Sequence, residues 1–98
     1  ITSQNVSMDI QEALYRITQE ALNNIVKHAK AKNIQIDLLN NKNSLELIIM
    51  DNGIGFAPNV SQGYGLKSMR ERAEIIHAQL FIESSQESGS QIKVKVPL

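Results

Sequence analysis

Residues 34–56 read IQIDLLNNKNSLELIIMDNGIGF. Ile34, Ile36 and Leu38 alternate with Gln35 and Asp37, Asn40-Asn41-Lys42-Asn43 supplies turn residues, and Leu45, Leu47 and Ile49 alternate again. Period-two alternation interrupted by asparagines predicts a β-hairpin. Its second strand runs into Asp51-Asn52-Gly53-Ile54-Gly55-Phe56, and the next stretch, Ala57 to Gly63, is polar, carries glycine and contains Pro58. That stretch reads as a loop.

Before the hairpin, Ile10, Leu14, Ile17, Ala21 and Ile25 recur at helical spacing and predict an amphipathic helix from Asp9 to about Lys30. Asp9 with Glu12 fits a capping box, Ser7 is a rival cap, and Lys27, Lys30 and Lys32 suit a helix C-terminus before Asn33. After the loop, Leu66, Met69, Ala73 and Ile76 predict a second helix ending near His77. Strands are expected at about Leu80 to Ser84 and Gln91 to Val96, with Gln86 to Gly89 turning between them. Helix, two strands, glycine loop, helix and two strands form an α+β fold, a two-layer α/β sandwich. Its sheet is expected to be mixed and mostly antiparallel, with the helices on one face.

The composition excludes several functions. At 98 residues the chain is one domain, and 42% hydrophobic against 20% charged residues is a folding composition. Ten basic residues cancel ten acidic ones, so there is no field for nucleic acid or an anionic membrane surface. Without cysteine there is no disulfide, thiol nucleophile or thiolate metal site. No apolar run is long enough to span a bilayer.

Three patterns carry chemistry. On the first helix, Glu20, Asn24 and Lys27 share a stripe beside the apolar arc, flanked by Arg16 and His28. Oxygen ligands for a hard cation and a lysine for phosphate are one reading; a solvated helix face is the other. Asp51 leaves an apolar strand into Gly53 and Gly55, where missing side chains admit a planar ligand whose amino group the carboxylate can accept. An ordinary Asp-Asn-Gly turn fits the same residues. Gly63-Tyr64-Gly65-Leu66 opens the second helix, where unpaired amides favour phosphate oxygens. Neither the dinucleotide fingerprint nor a Walker loop is present.

In order, QEALNNIVKHA, DNGIGF, GYGL and SGSQIKVKVP resemble the N, G1 and G2 boxes and last strands of the ATP-binding domain of two-component sensor histidine kinases. Tyr15 to Asn24 with Lys27-His28-Ala29, and Gly65 to Arg72, look like the subfamily of nitrate/nitrite and degradative-enzyme sensors. The resemblance covers nearly the whole chain. It implies the left-handed-lid ATP fold, also called the Bergerat fold, shared with gyrase and the heat-shock-90 chaperones.

By that resemblance Asn24 would hold Mg²⁺ bridging the phosphates of ATP, Asp51 would accept the adenine amino group, and Gly53 and Gly55 would give the ring room. Lys27 and His28 would lie near phosphate and ribose, Gly63, Gly65 and the amides around Leu66 would cradle phosphate, and Ser90 would place a hydroxyl near adenine. Glu20, the acid four residues before the metal asparagine, is the catalytic candidate, with support of the metal site ranked above general base. The acceptor histidine of such kinases lies in an upstream dimerisation helix, within an H-box this sequence lacks. Residues 1–98 therefore read as a catalytic domain excised from a longer chain, with Ile1 to Val6 the remnant of a strand the family places there, and with a short lid. The partners implied are the dimerisation domain of a homodimeric kinase and a response regulator, and the expected location is cytoplasmic, with membrane anchoring left to the full-length protein. Nucleic acid and direct membrane contact are not expected. The alternatives are an ATP-binding regulatory module without phosphotransfer and an anti-sigma-factor serine kinase of the same fold.

Overall fold

The computed structural model describes residues 6–26, 33–53, 66–85 and 89–98. Along the chain run α1 (Met8–Asn24), β1 (Ile34–Asn40), β2 (Ser44–Asp51), α2 (Leu66–Ile75), β3 (Gln79–Ser85) and β4 (Gly89–Pro97). The strands form one sheet in the order β1-β2-β4-β3. All three ladders are antiparallel.

The start of α1 corrects the capping expectation. Ser7, at φ −67 and ψ 161, is the N-cap, and its hydroxyl oxygen accepts from the Ile10 N–H at 3.2 Å. Asp9 instead occupies the first turn, where a negative charge suits the helix dipole. Gln11 Nε2 donates to the Val6 carbonyl at 3.0 Å, so the residue before the cap is tied to the helix while its side chain is buried. Regular helix runs to Asn24, and Ile25 keeps helical angles, its N–H donating to the Ala21 and Leu22 carbonyls. The expected continuation through residues 27–30 lies outside the described residues.

The second helix ends as expected near His77, which adopts φ +58. The His77 N–H donates to the Glu74 carbonyl at 3.0 Å and the Ala78 N–H to the Ala73 carbonyl at 2.8 Å. These two bonds are the paired closure of a Schellman turn, with histidine where glycine is usual. The strands β3 and β4 are each longer than the alternation alone predicted, because ladder pairing carries polar residues such as Gln79 and Ser90 into the sheet.

The two helices cover one face of the sheet. Leu14, Ile17 and Ala21 of α1, with Met69 and Ala73 of α2, meet Leu45, Leu47 and Ile49 of β2 and Ile92, Val94 and Val96 of β4. Burying each large aliphatic side chain contributes on the order of 1.5–3 kcal/mol. The alternation in β1 has a different outcome. Ile36 pairs with Ile49 and Leu38 with Leu47, so their side chains face the helix side, yet Ile36 stays 46% exposed while Ile49 is 1% exposed. β1 is the sheet edge, and α1 packs over its neighbour β2.

Candidate functional site

The inner, helix-facing row of β2 is Leu45, Leu47, Ile49 and Asp51, and that of β4 is Ser90, Ile92, Val94 and Val96. Antiparallel register sets Asp51 opposite Ser90, so both apolar rows end in a polar residue at the same end of the sheet. Both are buried, and with Asn24 they are the buried polar residues among those described. A carboxylate in an apolar row is costly unless it is hydrogen-bonded. Here the Ser90 hydroxyl donates to Asp51 Oδ2, and the Gly53 N–H donates to Asp51 Oδ1 at 2.8 Å. Each oxygen keeps acceptor capacity for a further donor.

The strand end bearing Asp51 is also anchored from the other side. Asn52 Oδ1 accepts from the Asn33 N–H at 2.9 Å, and the Asn52 N–H donates to the Asn33 carbonyl at 3.3 Å. This clamp extends the β1–β2 register one step past Ile34 and Asp51. The residue spacing did not reveal it; an asparagine just before the first strand of a hairpin and another just after the second was the available signal. Gly89 was read as a turn residue only. Its φ is +88, and a Cβ built there would fall 2.1 Å from the Asp51 carbonyl oxygen.

On α1, Asn24 lies one turn beyond Ala21, on the helix's buried face, and is itself buried, whereas Glu20, one turn earlier, is half-buried. Among the described residues no buried side-chain nitrogen or oxygen lacks a hydrogen-bond partner. The flanking Arg16 turns away from this stripe: it is exposed, 3.9 Å from Glu12, and its guanidinium lies 6.0 Å from the Tyr15 ring centroid. Leu66 is buried at the first position of α2. Lys27, His28, Gly55, Gly63 and Gly65 lie outside the described residues.

The donor set suits a magnesium ion carried by phosphates. Among the described residues no three carboxylates, histidines or cysteines cluster, so a protein cage for a cation is absent from them. The buried Asn24 carries a hard carboxamide oxygen, the donor type magnesium takes, and magnesium habitually uses few protein ligands and completes its shell with water and phosphate. A groove of about 630 Å³ lies elsewhere, between α1 and β1, and is lined by Met8, Leu14, Tyr15, Ile36, Leu38 and Leu47. None of the sequence-predicted site residues lines it.

Comparison with known proteins bears on the family and the fold. The profile of the family described as histidine kinase-, DNA gyrase B-, and HSP90-like ATPase matches residues 9–98. The sensor protein VraS of Staphylococcus saprophyticus is 46% identical over 95 residues, covering 95% of this chain and 27% of that protein. VraS of Staphylococcus aureus strain COL is 44% identical over 95 residues, again covering 27% of its length. The chain thus spans about a quarter of the curated relatives it matches. Among solved structures, the histidine kinase domain of the blue-light activated histidine kinase of Erythrobacter litoralis EL346 superposes with a TM-score of 0.80 at 17% identity, covering 92% of this chain and 45% of that one. The ATP binding domain of PrrB from Mycobacterium tuberculosis gives 0.74 at 23% identity, covering 88% and 67%. At these identities the two structures speak for the fold alone. The profile match over almost the whole length, together with the VraS identity, means that this chain belongs to the family of histidine kinase-, DNA gyrase B- and HSP90-like ATPases.

Proposed function

We propose that the domain binds Mg²⁺-ATP and supplies its γ-phosphoryl group to a histidine on a separate dimerisation domain of a two-component sensor kinase. The observation that carries this reading is the Asp51–Ser90 pair, a buried carboxylate hydrogen-bonded on both oxygens at the end of two apolar strand rows. Such a group is a fixed acceptor for a base amino group. An adenine presents that donor, whereas a guanine presents a carbonyl oxygen at the corresponding position and is repelled.

Ser90 steadies the acceptor; Gly53 and Gly55 would give the ring room, and Gly63, Gly65 and the first amides of α2 at Leu66 would receive phosphate oxygens. Asn24 would hold the magnesium ion, and Lys27 and His28 would serve phosphate and ribose. A bound magnesium ion supplies charge neutralisation along the phosphates. Glu20, one turn from Asn24, supports the metal site and is the catalytic candidate of this chain. Because phosphoryl transfer depends mainly on positioning and charge, the domain need not contain the nucleophile.

The partners follow from the same reading: a dimerisation domain carrying the acceptor histidine, a homodimer in the full-length kinase, and a response regulator downstream. Similarity to VraS supports a sensor protein, and a cytoplasmic position fits a domain that meets ATP. Among the described residues no helix is long and apolar enough to cross a membrane. Calorimetric titration with ADP and ATP, with and without Mg²⁺, tests the proposal. Magnesium-dependent binding is expected, and a folded protein that binds neither nucleotide would overturn it.

A further inference from the structure

We propose that Gly89 is a positioning residue for base recognition: by letting β4 start against the backbone of β2, it seats Ser90 on Asp51 and so aims the carboxylate. The inference rests on the nucleotide reading above and adds a determinant of base selectivity to it.

Gly89 meets two separate requirements. Its φ of +88 lies where L side chains are strained. Its position is also crowded, since a Cβ would lie 2.1 Å from the Asp51 carbonyl oxygen, 2.9 Å from the Asp51 carbonyl carbon and 3.1 Å from the Asn52 Cα. These are backbone atoms, and the Asn33 clamp on Asn52 holds them in place. Any side chain at position 89 must therefore displace β4 from β2 at the step next to the Asp51–Ser90 pair. The Ser90 hydroxyl would then leave Asp51 Oδ2, and the Gly53 N–H alone would hold the carboxylate. One bond on one oxygen leaves rotation about Cβ–Cγ open; two bonds on two oxygens close it. The rest of the β2–β4 ladder continues from Met50 and Gln91 to Ser44 and Pro97, so the loss is local to the site.

The test titrates ADP and GDP, each with Mg²⁺, into wild type, G89A, G89N, S90A and S90T, with circular dichroism on every variant. Asparagine tolerates a positive φ but still brings a Cβ, so G89N separates crowding from backbone angle. G89A, G89N and S90A are each expected to stay folded, to weaken ADP roughly tenfold and to lose the preference for ADP over GDP, while S90T keeps both. Wild type that binds no ADP would overturn the nucleotide reading and this proposal together. Wild type that binds ADP beside a G89A or G89N of unchanged affinity and preference would overturn this proposal alone. An unfolded G89A, or an equal loss for ADP and GDP, would assign Gly89 to the fold rather than to the site and would also overturn it.

Discussion

On the proposed reading, single atoms at Asp51 and Asn24 carry separable tasks. Replacing Asp51 by Asn exchanges one acceptor oxygen for a donor NH₂, which must face Ser90, the Gly53 N–H or the ligand. D51N is expected to lose its preference for ADP over GDP and to weaken ADP by roughly tenfold to a hundredfold, read by calorimetry. N24D keeps the oxygen and adds a charge, so it should alter the magnesium dependence of binding while leaving the ADP-over-GDP preference in place. A third residue, His77, sits at φ +58 in the Schellman turn closing α2. The left-handed region costs an L-residue about 1–2 kcal/mol that glycine escapes, partly offset by glycine's greater freedom when unfolded. H77G should therefore raise stability by about 0.5–1 kcal/mol in urea unfolding, without affecting nucleotide affinity.

Among the elements, β1 and β2 carry similar alternating apolar residues but do not contribute alike. Ile49 lies 1% exposed beneath the helices, and Ile36, its partner across the ladder, is 46% exposed at the sheet edge. I49A is expected to cost about 2–5 kcal/mol and I36A less than half as much, compared by urea denaturation. The start of α1 is set by its cap. S7A removes the hydroxyl oxygen that accepts from the Ile10 N–H and should cost about 1 kcal/mol. The Asp9–Glu12 spacing pointed to the wrong cap because several polar residues precede the apolar stripe, and only backbone angles select among them. Ser7, extended at ψ 161, is where the chain enters the helix.

On the scale of the whole molecule, an open sheet carries its helices on one face, and the polar ends of two buried rows meet at one end of it. If nucleotide binds there, ADP at a hundredfold excess over its Kd should stabilise the fold by roughly 2.7 kcal/mol, visible as a rise in Tm. On the same reading the isolated domain should not phosphorylate itself yet should phosphorylate an added dimerisation domain with its acceptor histidine, followed as acid-labile label; phosphohistidine on the domain alone would contradict this. Much of this architecture was legible in residue order. The helical stripe from Ile10 to Ala21, the alternation from Leu45 to Ile49 and the acid-glycine step at Asp51 are local patterns, and local patterns are set by side-chain period and turn chemistry. Contacts between distant residues were not legible. Ser90 and Asp51 are 39 residues apart, and they meet only because the strand order β1-β2-β4-β3 inserts β4 beside β2. The exposure of β1, the Asn33–Asn52 clamp and the crowding at Gly89 have the same origin. The sequence by itself determined which elements form and where the acid-glycine step falls, because period and turn chemistry act between near neighbours. Tertiary structure alone decided which faces are covered and which polar atoms pair, because both depend on how segments distant in the chain pack together.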